Sequence, residues 1–268
     1  IRRNVIAYNT TPNAHSHRAG ISFCDGTIEF NRIFGNKTQG GGAGISDCDG
    51  TIKNNLIFGN EADGGGPGIV SCDGPILNNV VYGNSTVEVG GGLWDCNGEI
   101  RNNVIWGNVS GEGFQVEASS IPSYCCIQDW AGMGAGNTAL DPQFVDAEVG
   151  DFRLLPTSPC IDAGAYVSSV TTDFWNEPRG LDGVADLRGD GSNYDIGAHE
   201  FLGKELFNLG SDMDQTGWVD AVDLLTFQRD WNAAPPISTR SDLNRDNLID
   251  PLDLTILVRD WHRGTGVR

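Results

Sequence analysis

The chain has 268 residues, a formal net charge of −19 and an isoelectric point near 4.3. A balance this acidic excludes nucleic acid and anionic membrane surfaces as natural partners and disfavours strongly anionic substrates. The length allows one or two domains, and no apolar run approaches the roughly 18 residues that a membrane-spanning helix needs.

The chain opens on I-R-R-N-V-I-A-Y-N, which aligns with Ile100–Asn108. It therefore begins inside a repeat, and an upstream segment is expected to precede it. The stretch that follows is longer than its later counterparts and carries His15 and His17. Alternate residues of a strand share a face, so the pair can ligate a metal. No third ligand accompanies it, and a solvated loop is the simpler reading.

From Gly20 one text is written four times at a spacing of 24: G-I-S-F-C-D-G-T-I, G-I-S-D-C-D-G-T-I from Gly44, G-I-V-S-C-D-G-P-I from Gly68 and G-L-W-D-C-N-G-E-I from Gly92. Two asparagine columns keep the same interval, Asn31, Asn55, Asn79, Asn103 and Asn36, Asn60, Asn84, Asn108. Each unit holds apolar runs too short for helices, punctuated by Gly, Asn and Asp, which tolerate turn backbone. A fixed period of this kind means stacked units that bury a core only together. With three short strands per unit, each strand pairs with its copy one coil along, about 4.8 Å away. Ile28, Ile52, Ile76 and Ile100 then form one inward ladder, and Ile33, Ile57, Val81 and Ile105 another. The Asn columns are expected at the bends, in the left-handed region. Cys24, Cys48, Cys72 and Cys96 read as a ladder of buried thiols rather than disulfides, because they lack any metal or pairing spacing. The odd total of seven cysteines leaves the redox compartment open. Glycine-rich corners at 37–43, 61–67 and 85–91, with Glu61, Asp63, Glu88 and Glu112, make an acidic solvated flank.

These coils, of the form G-G-G-I-x-x-x-x-x-x-T-I-x-N-N-x-I-x-x-N, resemble the bacterial right-handed parallel β-helix repeat proteins over Ile1 to about Asn108. The resemblance implies an all-β, single-stranded parallel β-helix but no single activity, since the fold hosts lyases, hydrolases, epimerases and adhesins. Beyond Asn108 the period breaks. Gly113–Glu117 can start a fifth set, with Cys125 extending the cysteine ladder. Phe144–Gly164 resembles the closing coil of such proteins, followed by D-I-G-A-H-E-F at Asp195–Phe201. Thr171–Asn193, with Asp173, Asp182, Asp186 and Asp190 beside Arg179 and Arg188, reads as a loop capping the open end, where bare strand edges would aggregate. Cation binding there is the alternative.

Residues 202–268 are a different text, so the domains are read as 1–201 and 202–268. Asp212, Asp214, Thr216, Gly217, Trp218, Asp220 and Asp223 fall at positions 1, 3, 5, 6, 7, 9 and 12 of a calcium loop, and Asp242, Asn244, Asp246, Asn247, Leu248, Asp250 and Asp253 repeat the spacing. Alternating oxygen side chains surround a hard cation, while Trp218 and Leu248 offer only a backbone carbonyl. A helix is expected after each loop. The pair resembles a dockerin domain, which implies two Ca2+ ions, a cohesin-like receptor and a secreted, extracellular protein. Thr216 is a weaker ligand than Asp, Asn247 replaces the turn glycine, and Ala221–Val222 and Pro251–Leu252 stand where many dockerins carry a Ser-Thr pair.

A dockerin-like module on a β-helix implies a carbohydrate-active protein. In the column Phe23, Asp47, Ser71, Asp95, the two acids lie two coils apart, about 9.6 Å along the axis. That is close to the roughly 6.5–9.5 Å of an inverting glycosidase pair. Trp94 can stack on a sugar beside Ser71. The competing reading makes Asp47 and Asp95 turn caps bonded to nearby backbone. Asp25, Asp49, Asp73 and Asn97 read as turn formers. A second aromatic column, Phe34, Phe58, Tyr82, Trp106, faces outward and offers a stacking platform, or lies under the C-terminal domain. The column Glu29, Lys53, Leu77, Arg101 carries too little positive charge for a lyase acting on uronates unless calcium assists. Hydrolysis of a neutral plant-wall glycan such as β-glucan or cellulose, with Asp47 and Asp95 as acid and base, ranks first. A calcium-assisted lyase and a non-catalytic glycan-binding or cell-surface scaffold are the alternatives.

Overall fold

The computed structural model describes residues 1–12, 18–111, 114–181, 183, 188–202, 221–231, 241, 253–254 and 257. The chain divides into two units, Ile1–Phe201 and Leu202–Arg268. The first is a parallel β-solenoid of about five coils. Sheet one joins Val5–Ala7, Arg32–Phe34, Leu56–Phe58, Val80–Tyr82, Val104–Trp106 and Cys126–Ile127. Sheet two joins Ile21–Ser22, Ile45–Ser46, Ile69–Val70, Leu93–Trp94 and Val116–Glu117. Sheet three joins Ile28–Glu29, Ile52–Lys53, Ile76–Leu77 and Ile100–Arg101. Registers run residue for residue at the repeat interval, Ile52 on Ile76 and Ile57 on Val81.

Both isoleucine ladders are inside and fully buried, with Cys48, Cys72, Cys96 and Cys125 completing the core. All described cysteines are free thiols. The turns explain how a two-residue strand can be followed at once by another inward residue. One left-handed residue per corner reverses the alternation: Phe23, Asp47, Ser71 and Asp95 at one corner, Phe30, Asn54, Asn78 and Asn102 at the next, Gly35, Gly59, Gly83 and Gly107 at the third. The expectation that Asn31, Asn55, Asn79, Asn103 and their companion column occupy the left-handed positions is corrected, because that conformation falls one residue earlier. The Asn columns instead point into the corners, fully or almost fully buried, and hydrogen-bond along the stack. Asn31 donates from its backbone N and from Nδ2 to Asn55 Oδ1, at 2.9 and 3.0 Å, while Asn55 Nδ2 donates to the Ile28 carbonyl and to Asn79 Oδ1. Each buried amide is thereby satisfied, as burial demands.

The non-repeating chain after the coils differs from the closing coil and end-capping loop expected of it. Phe144–Asp146 and Asp151–Leu154 pair as an antiparallel hairpin against the outside of sheet one. The described residues of 155–201 then run over sheet one and along its corner with sheet three, where Asn102 bonds Ala165, Asn78 bonds Gly197, Asn54 bonds Thr172 and Arg3 bonds Asn176. This is a lateral strap. The open end is closed earlier, by Thr138 bridging to Cys126 and by Trp130 packing on the core. The strap is pinned by fully buried Arg179, whose Nη1 donates to Glu200 Oε2 at 3.1 Å and whose Nη2 donates to Asn54 Oδ1 at 3.2 Å. Asp173 accepts from the backbone N–H groups of Glu177 and Glu200, and Asp190 from those of Tyr166 and Ser192. These two acids fold the strap by binding its own backbone, while Asp182 and Asp186 lie outside the described residues.

In the second unit Ala221–Trp231 is helical, and Asp253, Leu254 and Leu257 are also helical. His15, His17, Glu112, Asp212, Asp214, Thr216, Trp218, Asp220, Asp242, Asn244, Asp246, Leu248 and Asp250 lie outside the described residues. No helix among the described residues is long and apolar enough to cross a membrane.

Candidate functional site: a cleft on sheet two

Sheet two carries the outward column Ser22, Ser46, Val70, Trp94 and Glu117. The glycine corner before each strand curls back over the outward residue four positions on. At Gly90, whose φ is 71°, a Cβ would stand 2.2 Å from the Trp94 Cβ, so no side chain fits there. At Gly42, with φ 78°, the equivalent distance to the Ser46 Cβ is 2.9 Å. These bare corners leave a cleft of about 290 Å³ between Arg18, Gly41, Gly42, Gly64, Gly65, Ser46, Asp47, Val70, Ser71 and Trp94.

Three of the expected residues, Asp47, Ser71 and Trp94, share this cleft. Asp95 does not line it; it is exposed on the next coil, where Ser71 Oγ donates to Asp95 Oδ2 at 3.2 Å. Both acids hold the left-handed corner conformation, at φ 51° and 52°. Asp47 is bound by Arg18, Nε to Oδ2 at 2.6 Å, with each side chain about 30% exposed. That hydrogen bond is the main cause of the rise of the Arg18 guanidinium above its ordinary value. Arg18 also lies over the Phe23 ring, 4.5 Å from its centroid. Asp49, Asp73 and Asn97 stack in the following turn, where the Asp73 backbone N–H donates to Asp49 and that of Asn97 to Asp73.

Two cleft residues escaped the sequence reading. Arg18 stands one period before Gly42, in the left-handed column otherwise held by Gly42, Gly66 and Gly90, and its departure from glycine is the signal that could have found it. Ser46 is 1% exposed, and among the described residues its hydroxyl has no hydrogen-bond partner. Leaving a buried hydroxyl unpaired costs roughly 1–3 kcal/mol. The period alone gives no sign of this, because burial comes from the glycine corner folding over.

The aromatic column is differently placed. Phe34 and Phe58 stack at 4.8 Å, and Phe58 and Tyr82 meet Phe152 at 5.1 and 5.3 Å, with Phe144 on Tyr82 at 6.0 Å. The chain's own hairpin therefore occupies Phe58 and Tyr82, and Trp106 is partly buried at the end of the column. The Lys53 column is also engaged. Lys53 Nζ donates to the Ser169 carbonyl at 2.6 Å and lies 3.5 Å from Glu29, and Leu77 packs against Val167 and Val170.

Among the described residues no three His, Cys, Asp or Glu side chains converge as a metal site. Of the expected calcium ligands, Asp223 and Asp253 are described, and both are fully buried within helices.

No protein-family model matches this chain, and no curated protein or solved structure is significantly similar to it. Fold and site together define a parallel β-solenoid with a polar lateral cleft.

Proposed function

We propose that this chain is a secreted carbohydrate-active protein that seats one residue of a neutral polysaccharide in the sheet-two cleft and hydrolyses the adjoining bond. The observation that carries this reading is the cleft's combination of groups. A buried hydroxyl without a partner, an arginine-paired carboxylate, a second serine and an indole suit a polyhydroxylated neutral ring. The volume is at the small end of ligand sites, which run from about 300 to 1,000 Å³, and suits a single sugar residue. Arg18 neutralises Asp47, so the cleft presents no net charge to a uronate.

In the hydrolytic scheme Asp47, held by Arg18, takes a proton from the attacking water, and Asp95 gives one to the leaving oxygen. Two coils set them about 9.6 Å apart along the axis, at the upper edge of the inverting range of roughly 6.5–9.5 Å. The position of Asp95 outside the cleft favours one second reading, a glycan-binding scaffold without catalysis. The lyase reading falls below both, because the Lys53 column lies under the strap.

The C-terminal unit supports the secreted setting. Asp223 and Asp253 stand at the equivalent twelfth positions of the two loops whose spacing matches a calcium site. With Asp212, Asp214, Thr216, Trp218 and Asp220, and with Asp242, Asn244, Asp246, Leu248 and Asp250, they would hold two Ca2+ ions that order the module for a cohesin-like receptor. Chelation should expose residues 208–261 to protease, and unchanged cleavage would remove the calcium proposal.

The function is tested by incubating the full chain with neutral β-glucans and with polyuronates. Reducing ends released from the glucan by the wild type, and lost in Asp47→Asn and in Asp95→Asn, support the hydrolase. Glucan binding without product supports the scaffold. Unsaturated uronate product contradicts both.

A further inference from the structure

The strap and the coil stack meet at two thiols. Cys126 sits in sheet one in register with Val104, one residue out of step with the inward Cys125. It therefore belongs to the outward column Leu56, Val80, Val104, which is fully buried although it faces away from the core. What buries it is the strap: a Cβ on Gly197 would stand 2.9 Å from Val104 Cγ2. At the Cys126 level of that column the strap presents Cys160. Both residues are 0% exposed, and their sulfurs lie within hydrogen-bonding reach of each other. Cys160 is held from the far side, where Ile196 N donates to its carbonyl at 2.9 Å and its own N–H donates to Ser158 Oγ at 3.1 Å.

We propose that Cys126 and Cys160 form a disulfide that fastens the strap to the last coil. A disulfide requires converging Cβ vectors, and cysteines on two separate elements can meet that condition. The core ladder does not meet this condition even though Cys48 and Cys72 also touch. In-register neighbours hold parallel Cβ vectors about 4.8 Å apart, outside the roughly 3.5–4.5 Å a disulfide spans.

The bond forms before the strap closes, using a small-molecule disulfide such as oxidised glutathione. The Cys160 thiolate attacks the oxidant's disulfide, forming a mixed disulfide and releasing one glutathione thiolate. Docking then brings the Cys126 thiolate onto the Cys160 sulfur, making the protein disulfide and expelling the second glutathione thiolate. The two protein thiol protons end on the two released glutathiones, and two electrons reduce the oxidant. The proposal does not depend on any glycan activity.

The test refolds the full chain in a glutathione redox buffer, alkylates free thiols under denaturing conditions and maps unreduced peptides by mass spectrometry. The expected product joins the Cys126 peptide to the Cys160 peptide, with the remaining cysteines alkylated. Reduction should then lower the melting temperature by an amount on the order of 5–10 °C. Cys126→Val copies Val80 and Val104 of the same column, so it preserves packing, and it should abolish both the linked peptide and the reductant dependence. Recovery of Cys126 and Cys160 as separately alkylated thiols in the wild type would overturn the proposal. So would a linked peptide that persists in Cys126→Val.

Discussion

The outside of the coil stack is finished in two ways. On sheets one and three much of the outward side is covered by the chain itself: Phe58 and Tyr82 by the hairpin, Leu77 by Val167 and Val170, and Asn54, Asn78 and Asn102 by strap carbonyls and amides. On sheet two the outward column is met, among the described residues, by the glycine corners and Arg18, and Ser46 is buried there with its hydroxyl unpaired. The same repeat therefore serves stability where non-repeating chain lies over it, and under the proposed function it serves recognition where none of the described residues does. A column of aligned side chains has no function of its own until its cover is known.

The sharpest way to break this contrast is to remove one large residue from each face. Phe152 is fully buried among Phe58, Tyr82 and Phe144. Phe152→Ala should lower stability in urea unfolding by about 3–5 kcal/mol and leave the cleft chemistry intact in the folded fraction. Trp94→Ala should do the reverse, changing stability by no more than about 1 kcal/mol while weakening glycan binding.

Next in size is the asparagine ladder, which supports both faces. Asn79 accepts from Asn55 N and Nδ2 and donates to the Ile52 and Leu77 carbonyls and to Asn103. Asn79→Ala leaves several of these groups buried and unpaired, and should cost about 2–3 kcal/mol in the same measurement.

These two residues also show how far the repeat was legible. The period placed Asn79 in a stacked column at a bend and Ile76 in the core, because a solenoid turns sequence spacing into neighbours. It could not say which of Asn78 and Asn79 takes the left-handed turn, since either side chain tolerates it; packing decides, with Asn79 going inward and Asn78 to the strap. It could not show Phe152 on Phe58 either, because a cover drawn from outside the repeat leaves no mark on the columns it covers. Arg18, standing where later coils have Gly42, Gly66 and Gly90, was passed over as well, and with it the ion pair at Asp47.

A smaller, pH-dependent effect belongs to the strapped face. His199 Nδ1 accepts from Leu154 N at 3.1 Å, and burial with Arg179 and Arg153 nearby lowers its pKa to about 3, against the opposing pull of Asp151. The unfolded chain takes up this proton near pH 6.5 and the folded site does not. The His199 contribution is therefore present above pH 6.5 and is lost as pH falls towards 3, with a slope of up to about 1.4 kcal/mol per pH unit. Asp195, Asp173 and Glu200, all raised mainly by burial, act in the opposite sense: their share is present at low pH and is lost as pH rises through their folded values. Stability of His199→Gln measured from pH 3 to 7 should lack the histidine slope and retain the carboxylate one. The smallest effect is expected at the exposed turn ladder, where Asp73→Asn should stay within about 0.5 kcal/mol of the wild type.

The central claim is that sheet two's uncovered column is a sugar site, and calorimetric titration of a neutral glucan oligosaccharide into the full-length wild type and Trp94→Ala tests it most directly. The account predicts measurable binding to the wild type and a loss of about tenfold or more when the indole is removed. Equal affinity for the two proteins, or no heat of binding from any neutral glucan, would contradict it.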